Sequence, residues 1–305
     1  MKTSVTFPSN DLALAGILRT PDDHVGGRRP AVVISHPGGG VKEQSPSIYA
    51  ERLARAGFAA LVFDAAYQGE SEGEPRGMEN PFQRAEDIKS AVTHLTTRDD
   101  IDPDRIGALG ICASGGYVPY AAQTDHRIRA VATVSAVDLG SVFREGLGRT
   151  QDPAILQAML DQAGAARTAE ARGASPQLVA WIPDNAEELL ETGTRQFRET
   201  FEFYRTPRGH HPRAVRGWVL RSVDQLAQYD SYAMIELISP RPLLMIAGSE
   251  AESAYFSRES IERAAEPKEL FVIAGATHMD LYDQDEYVTP AVAKLTEFFG
   301  RHLAG

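Results

Sequence analysis

The fold is decided by the stretch Arg105-Ile106-Gly107-Ala108-Leu109-Gly110-Ile111-Cys112-Ala113-Ser114-Gly115-Gly116. Its first half is an apolar run that predicts a buried strand, and its second half has the small residues that a tight turn into a helix requires. Gly110 and Ser114 flank Cys112 two positions away on each side, which is the G-x-S-x-G elbow spacing with sulfur in place of oxygen. We therefore expect Cys112, the only cysteine of the chain, to be a nucleophile.

A second register of the same stretch is open, because Cys112 and Gly116 place small residues two positions on either side of Ser114. This register would make Ser114 the attacking residue. Gly110 ends the apolar run at the usual distance before Cys112, so the Cys112 register is preferred. The plain alternative is a buried cysteine without a chemical role, since free cysteine is among the most buried residue types.

A base for the thiol is expected after the last apolar strand. A thiol with a pKa of about 8.5 is only slightly ionised at neutral pH, so its chemistry needs an adjacent base or imidazolium. Residues 269–273 read as the final strand, and the loop that follows them carries His278. Position in the chain selects His278 from the eight histidines.

A carboxylate that orients the imidazole is expected between the nucleophile and the histidine. The strand predicted at 242–247 leads into a loop with two acids, Glu250 and Glu252. Glu252 is preferred because it lies deeper in the loop, and Glu250 stays open as the alternative acid. Either could also be an ordinary solvated charge.

The oxyanion hole has its own pattern, since the apolar run 31–35 ends in His36-Pro37-Gly38-Gly39-Gly40. Glycines allow backbone N–H groups to approach a developing oxyanion. One donor would be the amide of Ala113, beside the nucleophile, and the other the amide of Gly38 or Gly39.

These motifs together resemble the α/β-hydrolases, and the cysteine elbow is similar to that of the dienelactone-hydrolase branch. The run from Asp64 to Gly73 also resembles the D-x-x-G-x-G-x-S loop of the superfamily, with its second glycine replaced. The resemblance covers nearly the whole chain and implies acyl-transfer chemistry without a metal or organic cofactor. The chain departs from the family in having Ser114 where glycine is usual, and Glu where the acid is normally Asp.

The order of elements predicts an α/β-hydrolase fold with an eight-stranded, mostly parallel sheet and helices on both faces. Residues 2–7 and 12–18 read as an antiparallel edge pair, followed by strands alternating with helices. Proline positions predict helix starts at Pro81 and Pro290. Pro119 lies inside the helix predicted at 114–124, which suggests a kink or a late start there.

About 100 residues separate the strands predicted to end near Val134 and to start at Pro242, far more than an ordinary connection. We expect residues 138–232 to form a mostly helical cap, with predicted helices at 154–160 and 186–203, and residues 1–137 and 233–305 to form the core domain. The cap contains a row of cations that could attract an anionic substrate or could be a solvated face: Arg205, Arg208, His210, His211, Arg213, Arg216 and Arg221.

Composition fits an enzyme rather than a nucleic-acid or membrane-surface binder. The chain has 305 residues, 43% of them hydrophobic, and a formal net charge of −11. Because the N-terminal segment lacks an apolar signal region, a cytoplasmic location is expected. The partner expected is a small acyl substrate, with a homodimer as an open possibility.

The function expected from these residues is hydrolysis of an ester, lactone or thioester through a Cys-His-acid triad and a thioacyl-enzyme intermediate. A small metabolite or polyketide-type compound is the expected substrate. Two alternatives remain open. One is a biosynthetic cyclase or carbon–carbon lyase that uses the same triad, and the other is a binding protein that lost turnover.

Overall fold

The computed structural model describes residues 1–22, 27–187 and 194–304. The strands, in chain order, are β1 (Lys2–Ser9), β2 (Leu12–Arg19), β3 (Arg29–Ser35), β4 (Ala59–Phe63), β5 (Ile101–Ile111), β6 (Ala130–Val134), β7 (Leu178–Ala180), β8 (Gly217–Val219), β9 (Leu243–Gly248) and β10 (Lys268–Ile273). The helices are α1 (Ser45–Arg55), α2 (Pro81–Thr96), α3 (Ser114–Thr124), α4 (Leu139–Glu145), α5 (Pro153–Ala171), α6 (Arg195–Arg205), α7 (Ser222–Gln228), α8 (Ala254–Arg263), α9 (Asp280–Asp283) and α10 (Asp285–His302). A 3-10 helix spans Ile235–Ile238.

One eight-stranded sheet organises the chain, in the order β1-β2-β4-β3-β5-β6-β9-β10. The pairs β1–β2 and β2–β4 are antiparallel, and the remaining pairs are parallel. The predicted mostly parallel sheet with an antiparallel edge pair is confirmed. Because the parallel strands point the same way, the loops after β3, β5, β6, β9 and β10 meet at one edge.

The sheet is buried on both faces because alternate residues of its central strands point to opposite sides. On one side, Val33 packs in a cluster with residues of α2 and α3. On the other side, Val32 and Ile34 pack with residues of α1 and α10. The buried parts of the central strands, residues 31–34 of β3 and 106–111 of β5, are therefore apolar.

Pro119 lies inside α3, which nevertheless begins at Ser114, so no late start occurs. Proline has no N–H to donate to the carbonyl four residues earlier, which leaves the Gly115 carbonyl without its helical partner. The Tyr232 hydroxyl donates to that carbonyl at 3.0 Å. A side chain from outside the helix thus supplies the missing hydrogen bond.

The start predicted for the last helix at Pro290 is wrong, because α10 begins five residues earlier at Asp285. The start predicted at Pro81 is confirmed, and the Asn80 side chain accepts hydrogen bonds from the amides of Phe82 and Gln83. Asn80 is a good capping residue, whereas Thr289 lies inside the helical run. A proline within the first two turns of a helix therefore does not by itself define its first residue.

The segment between β6 and β9 contains helices α4 to α7 and a two-stranded antiparallel sheet of β7 and β8, which sequence patterning did not predict. The helix predicted at 154–160 is part of α5. Of the helix predicted at 186–203, residues 188–193 lie outside the described residues and the rest corresponds in part to α6. Within the described part of the chain, no helix is both long and apolar enough to cross a membrane.

Gly110 is the last small residue before the elbow, and an added methyl group there has no space. A Cβ at Gly110 would lie 1.9 Å from the carbonyl oxygen of Ser114, whereas a Cβ at Gly300 in α10 meets nothing within 4 Å. We expect Gly110→Ala to lower the free energy of unfolding by about 1–3 kcal/mol. Gly300→Ala should raise it by about 0.5–1 kcal/mol. Urea unfolding followed by circular dichroism measures both, and equal midpoints for the two variants would contradict this account of the elbow.

Candidate active site

Cys112 occupies the turn between β5 and α3 in a left-handed backbone conformation, with φ at 56°. This region is strained for residues other than glycine and is maintained only by surrounding contacts. The amide of Cys112 donates to the Val134 carbonyl at 3.0 Å. Its carbonyl accepts from the amides of Gly115 at 2.7 Å and Val137 at 3.0 Å. These bonds fix the elbow against the end of β6.

Ser114, the alternative nucleophile, is fully buried and is committed to structural hydrogen bonds. Its hydroxyl donates to the His36 carbonyl at 2.6 Å, accepts from Arg84 Nη2 at 2.9 Å, and lies 2.8 Å from Ser35 Oγ. Ser114 connects the elbow to the loop after β3. Ser114 is not among the residues that line the cavity found at the carboxyl ends of the parallel strands.

Cys112 lines a cavity of about 390 Å³ at the carboxyl ends of the parallel strands. The segment between β6 and β9 supplies much of its wall. The lining residues are Gly38, Cys112, Ala113, Val137, Leu139, Val142, Phe143, Gly146, Leu147, Gln151, Trp181, Thr194, Gln196, Phe197, Thr200, Tyr204, Trp218, His278, Met279 and Tyr282. The cavity thus combines one thiol and one imidazole with mainly apolar walls.

Backbone amides from two loops converge on the cysteine sulfur. Burial raises the pKa of Cys112 above its ordinary value, and hydrogen bonds from Tyr282 and from the amides of Ala113 and Gly38 only partly oppose this rise. The structure therefore brings the amides of Gly38 and Ala113 to the sulfur of Cys112, which is the arrangement that an oxyanion hole would need. Gly39, the alternative donor, lies against Trp181. Its φ is 70°, and a Cβ there would lie 2.8 Å from the Trp181 ring.

The loop with these glycines is anchored by a buried ion pair. The Asp64 carboxylate accepts from Lys42 Nζ at 2.6 Å and from the Lys42 amide at 2.8 Å. It also accepts from the amide of Glu70 at 2.8 Å. Asp64 thus ties the loop after β3 to the loop after β4, which fits the structural role that the family resemblance implies.

His278 lies on the loop after β10 and is buried beside Cys112 in the cavity wall. Its Nδ1 is 2.6 Å from Ser253 Oγ, and its Nε2 is 3.4 Å from the Tyr282 hydroxyl. Burial lowers the pKa of His278 to about 3. The imidazole is therefore neutral near pH 7 and can accept a proton, while the raised pKa of Cys112 keeps the thiol protonated.

The structure does not bring Glu252 or Glu250 to the imidazole. Both side chains are exposed. Glu252 Oε1 accepts from the Gln196 amide at 3.5 Å, and Glu250 Oε1 accepts from Ser249 Oγ at 3.3 Å. The group at Nδ1 of His278 is the hydroxyl of Ser253, one residue beyond Glu252. Adjacent side chains at the start of α8 point in different directions, so the acid faces solvent and the serine faces the histidine.

Sequence reasoning missed Ser253 because a serine before a helix usually caps it. Here Ser253 is the residue before α8, but its side chain makes no capping hydrogen bond. Its hydroxyl is directed to His278 instead. The sequence did contain a signal for this contact, because Ser253 follows the expected acid Glu252 directly and lies on the same loop.

Tyr282 was also missed. Its hydroxyl hydrogen-bonds to the Cys112 side chain and lies 3.4 Å from Nε2 of His278, so it links the two reactive groups. Tyr282 is in α9, four residues after His278. His278 lies before the start of α9, so helical spacing does not predict this contact, and no local pattern indicated Tyr282.

The row of cations in the inserted segment is paired with acids. Arg208 lies 2.7 Å from Asp283, Arg213 lies 2.6 Å from Glu43, and Arg221 lies 2.8 Å from Glu170. Arg205 and Arg216 both pair with Asp184, at 3.4 and 3.9 Å. None of these arginines, nor His210 or His211, is among the described residues that line the cavity. The structure gives no support to an anion-attracting role for this row.

The chain is similar in sequence to two proteins that represent its relatives. The chain is 38% identical over 308 residues to Uncharacterized protein YcjY of Escherichia coli (strain K12), covering 99% of this chain and 100% of that one. It is 35% identical over 153 residues to Thiohydrolase aneE of Aspergillus aculeatus, covering 50% of this chain and 48% of that one.

The chain is also similar to solved structures. The crystal structure of hypothetical protein PA2218 from Pseudomonas aeruginosa has a TM-score of 0.92 at 35% identity, over 99% of this chain and 94% of that one. The α/β hydrolase GrgF from a Penicillium species has a TM-score of 0.84 at 22% identity, over the whole of both chains. The protein therefore has the α/β-hydrolase fold, and it belongs to the same family as YcjY and PA2218. The dienelactone hydrolase family model matches residues 14–138 of the chain.

A neutral thiol and a neutral imidazole predict a specific pH dependence of alkylation. Because the pKa of Cys112 is raised, we expect slow reaction with iodoacetamide at neutral pH and a rate that continues to rise above about pH 8.5. Intact-protein mass measures the reaction. Cys112→Ala is the background control, since the chain has no other cysteine. Fast alkylation that is independent of pH between about pH 5 and pH 8 would indicate a thiolate–imidazolium pair and contradict this electrostatic account.

Proposed function

We propose that the protein cleaves an ester, lactone or thioester by transferring its acyl group to Cys112 and then to water. The observation that carries the proposal is the position of Cys112, which is on a left-handed turn at the cavity with two backbone amides directed at its sulfur. Small residues and strained backbone at a strand-to-helix turn are characteristic of a nucleophile elbow.

In the first half-reaction, Nε2 of His278 removes the proton of the Cys112 thiol. The neutral imidazole has a lone pair at Nε2 for this proton, but its lowered pKa makes it a weak base. The transfer therefore depends on stabilisation of the thiolate by Tyr282 and by the amides of Gly38 and Ala113. The sulfur then forms a bond to the carbonyl carbon, and the amides of Gly38 and Ala113 stabilise the oxyanion. When the tetrahedral intermediate collapses, the bond to the leaving group breaks and His278 returns the proton to that group.

In the second half-reaction, His278 removes a proton from water, which attacks the thioacyl carbonyl. Collapse of this intermediate breaks the carbon–sulfur bond, releases the acid and restores the thiol. The Tyr282 hydroxyl contacts both the sulfur and the region of Nε2, so it can hydrogen-bond to the thiolate while the imidazolium exists. No oxidant or reductant is needed for either half.

Ser253 is the group that orients His278 in this proposal. A hydroxyl that accepts the Nδ1–H fixes the tautomer in which Nε2 is the base. Unlike a carboxylate, it does not stabilise the imidazolium by charge, which agrees with the low pKa of His278. A buried imidazole without a nearby acid depends on hydrogen bonds alone for its orientation.

Thioesters are the preferred substrate class within the proposal. Transfer of an acyl group from a substrate thioester to Cys112 replaces one thioester with another, so it does not require a poor leaving group to depart. The relative Thiohydrolase aneE, which is similar over half of this chain, supports the same preference.

A second candidate is capture of the acyl group by an internal nucleophile, which would make the protein a cyclase or a lyase. The observation that favours it is the apolar wall around Cys112 and the burial of His278, which is 2% exposed, since both restrict water. Product mass separates the two, because hydrolysis adds one water to the products and cyclisation does not.

The covalent role of Cys112 is tested by turnover of a panel of acyl thioesters and activated esters. We expect Cys112→Ala and His278→Ala each to lower kcat/KM by about a thousandfold or more. The two groups act in the same step, so removal of either one loses most of the rate that the pair provides. Retention of near wild-type turnover by Cys112→Ala, with a normally folded protein, would contradict the proposal.

The orienting role is tested by comparing neighbouring residues. We expect Ser253→Ala to lower kcat by about ten- to a hundredfold with little change in KM, because the imidazole loses the Nδ1 partner that the described residues provide. Glu252→Gln and Glu250→Gln are matched controls and should stay within about threefold of wild type. If Glu252→Gln lowers kcat more than Ser253→Ala does, the acid has the role that the sequence assigned to it.

A further inference from the structure

One lining residue of the cavity, Tyr204, has a hydroxyl proton without an acceptor. Tyr204 is 2% exposed, and no described residue accepts a hydrogen bond from its hydroxyl, while the neighbouring Tyr282 hydroxyl acts as a donor toward it. A buried donor normally has a partner, because leaving it unpaired is costly. A hydroxyl proton without an acceptor in a cavity wall is therefore a candidate contact for a bound molecule.

The hydroxyl lies at the reactive end of the cavity. It is 3.3 Å from the position that a Cβ on Gly40 would occupy, which places it against the glycine turn after β3. It also interacts electrostatically with Cys112, and the neighbouring Tyr282 contacts the Cys112 sulfur. An acyl chain attached to Cys112 would pass beside this group.

The Tyr204 ring is rigidly positioned. It belongs to α6 and packs edge-on against Trp181, with ring centroids 5.1 Å apart, and against Phe203 at 5.0 Å. Burial raises the pKa of Tyr204 well above its ordinary value, so the phenol stays protonated and donates. The group thus presents a fixed donor to whatever occupies the cavity.

The rest of the described wall is uncharged. No Asp, Glu, Lys or Arg is among the described lining residues, and large apolar side chains among them are Leu139, Val142, Phe143, Leu147 and Phe197. A carboxylate or phosphate placed there would lose its hydration without gaining a partner of opposite charge. Charged acyl groups are therefore disfavoured.

We propose that Tyr204 is a specificity-determining residue that donates a hydrogen bond to an oxygen atom in the acyl chain of an uncharged, mainly apolar substrate. This inference rests on the proposed function, since it identifies the substrate class of the same site. The carbonyl oxygen that reacts already has the amides of Gly38 and Ala113. The Tyr204 hydroxyl is therefore available for a second acceptor, such as an ether, keto or hydroxyl oxygen near the scissile bond.

Binding without turnover tests the inference, and the protein provides its own probe. The chain has two tryptophans, Trp181 and Trp218, and both line the cavity. In a Cys112→Ala background, quenching of their fluorescence gives dissociation constants for three kinds of ligand. These are methyl octanoate, its analogues with one CH₂ replaced by an ether oxygen at the third, fourth or fifth chain position, and the octanoate anion.

We expect Tyr204→Phe to weaken binding of at least one ether analogue about tenfold while leaving methyl octanoate within about twofold. Tyr229→Phe is the matched control, because no described residue accepts a hydrogen bond from the buried Tyr229 hydroxyl either, but Tyr229 is not among the residues that line the cavity. It should change none of the constants. The octanoate anion should bind at least about tenfold more weakly than its methyl ester.

Three results would overturn the inference. The first is that the protein with Tyr204 and the Tyr204→Phe variant bind every ether analogue with the same dissociation constant. The second is that Tyr204→Phe weakens binding of methyl octanoate as much as binding of the ether analogues. The third is binding of the anion as tight as that of the ester. Failure of the proposed function gives a different result. Thioesters would then bind with the expected dependence on Tyr204, but they would form no adduct on Cys112 and the wild-type protein would not turn them over.

Discussion

The backbone of Cys112 is the constraint on which the rest of the site depends. A non-glycine residue at a φ of 56° is stable only because β6 and the loop after it hold both its amide and its carbonyl. That arrangement requires Gly110, since any side chain there would collide with the Ser114 carbonyl. Ser114 in turn connects the elbow to the loop after β3, whose Gly38 amide faces the sulfur. One strained turn thus sets the positions of the Cys112 sulfur and of the two backbone amides that face it.

The second determining property is that no Asp, Glu, Lys or Arg is among the described residues that line the cavity. Burial raises the pKa of the thiol and lowers that of His278, and the group at Nδ1 is a hydroxyl. Charge therefore develops only during the reaction, when the amides and the Tyr282 hydroxyl can stabilise it. An apolar wall strengthens those hydrogen bonds because it excludes water. The same wall is suited to apolar acyl groups, so the electrostatics of catalysis and of substrate selection have one origin.

Much of this structure could be predicted from sequence, since long apolar strands and elbow spacing are local signals. The mostly parallel sheet, the antiparallel edge pair and the positions of Cys112 and His278 after strands follow from such patterns, whereas the order of the strands in the sheet was not predicted. The partner of His278 could not be predicted, because whether Glu252 or Ser253 faces the imidazole depends on the direction of the chain as it enters α8. The strands β7 and β8, each three residues long, are too short for periodicity to reveal. The Tyr204 position depends on how α6 packs over the cavity, which no local pattern encodes.

The most direct measurement is intact-protein and peptide mass after rapid quenching during turnover of an uncharged acyl thioester. If Cys112 is acylated in each cycle, the wild-type protein will gain the mass of the acyl group on the peptide that contains Cys112, and Cys112→Ala will show neither the adduct nor turnover. Turnover that continues in Cys112→Ala, or wild-type turnover with the acyl group on another residue, would contradict a thioacyl enzyme at this elbow.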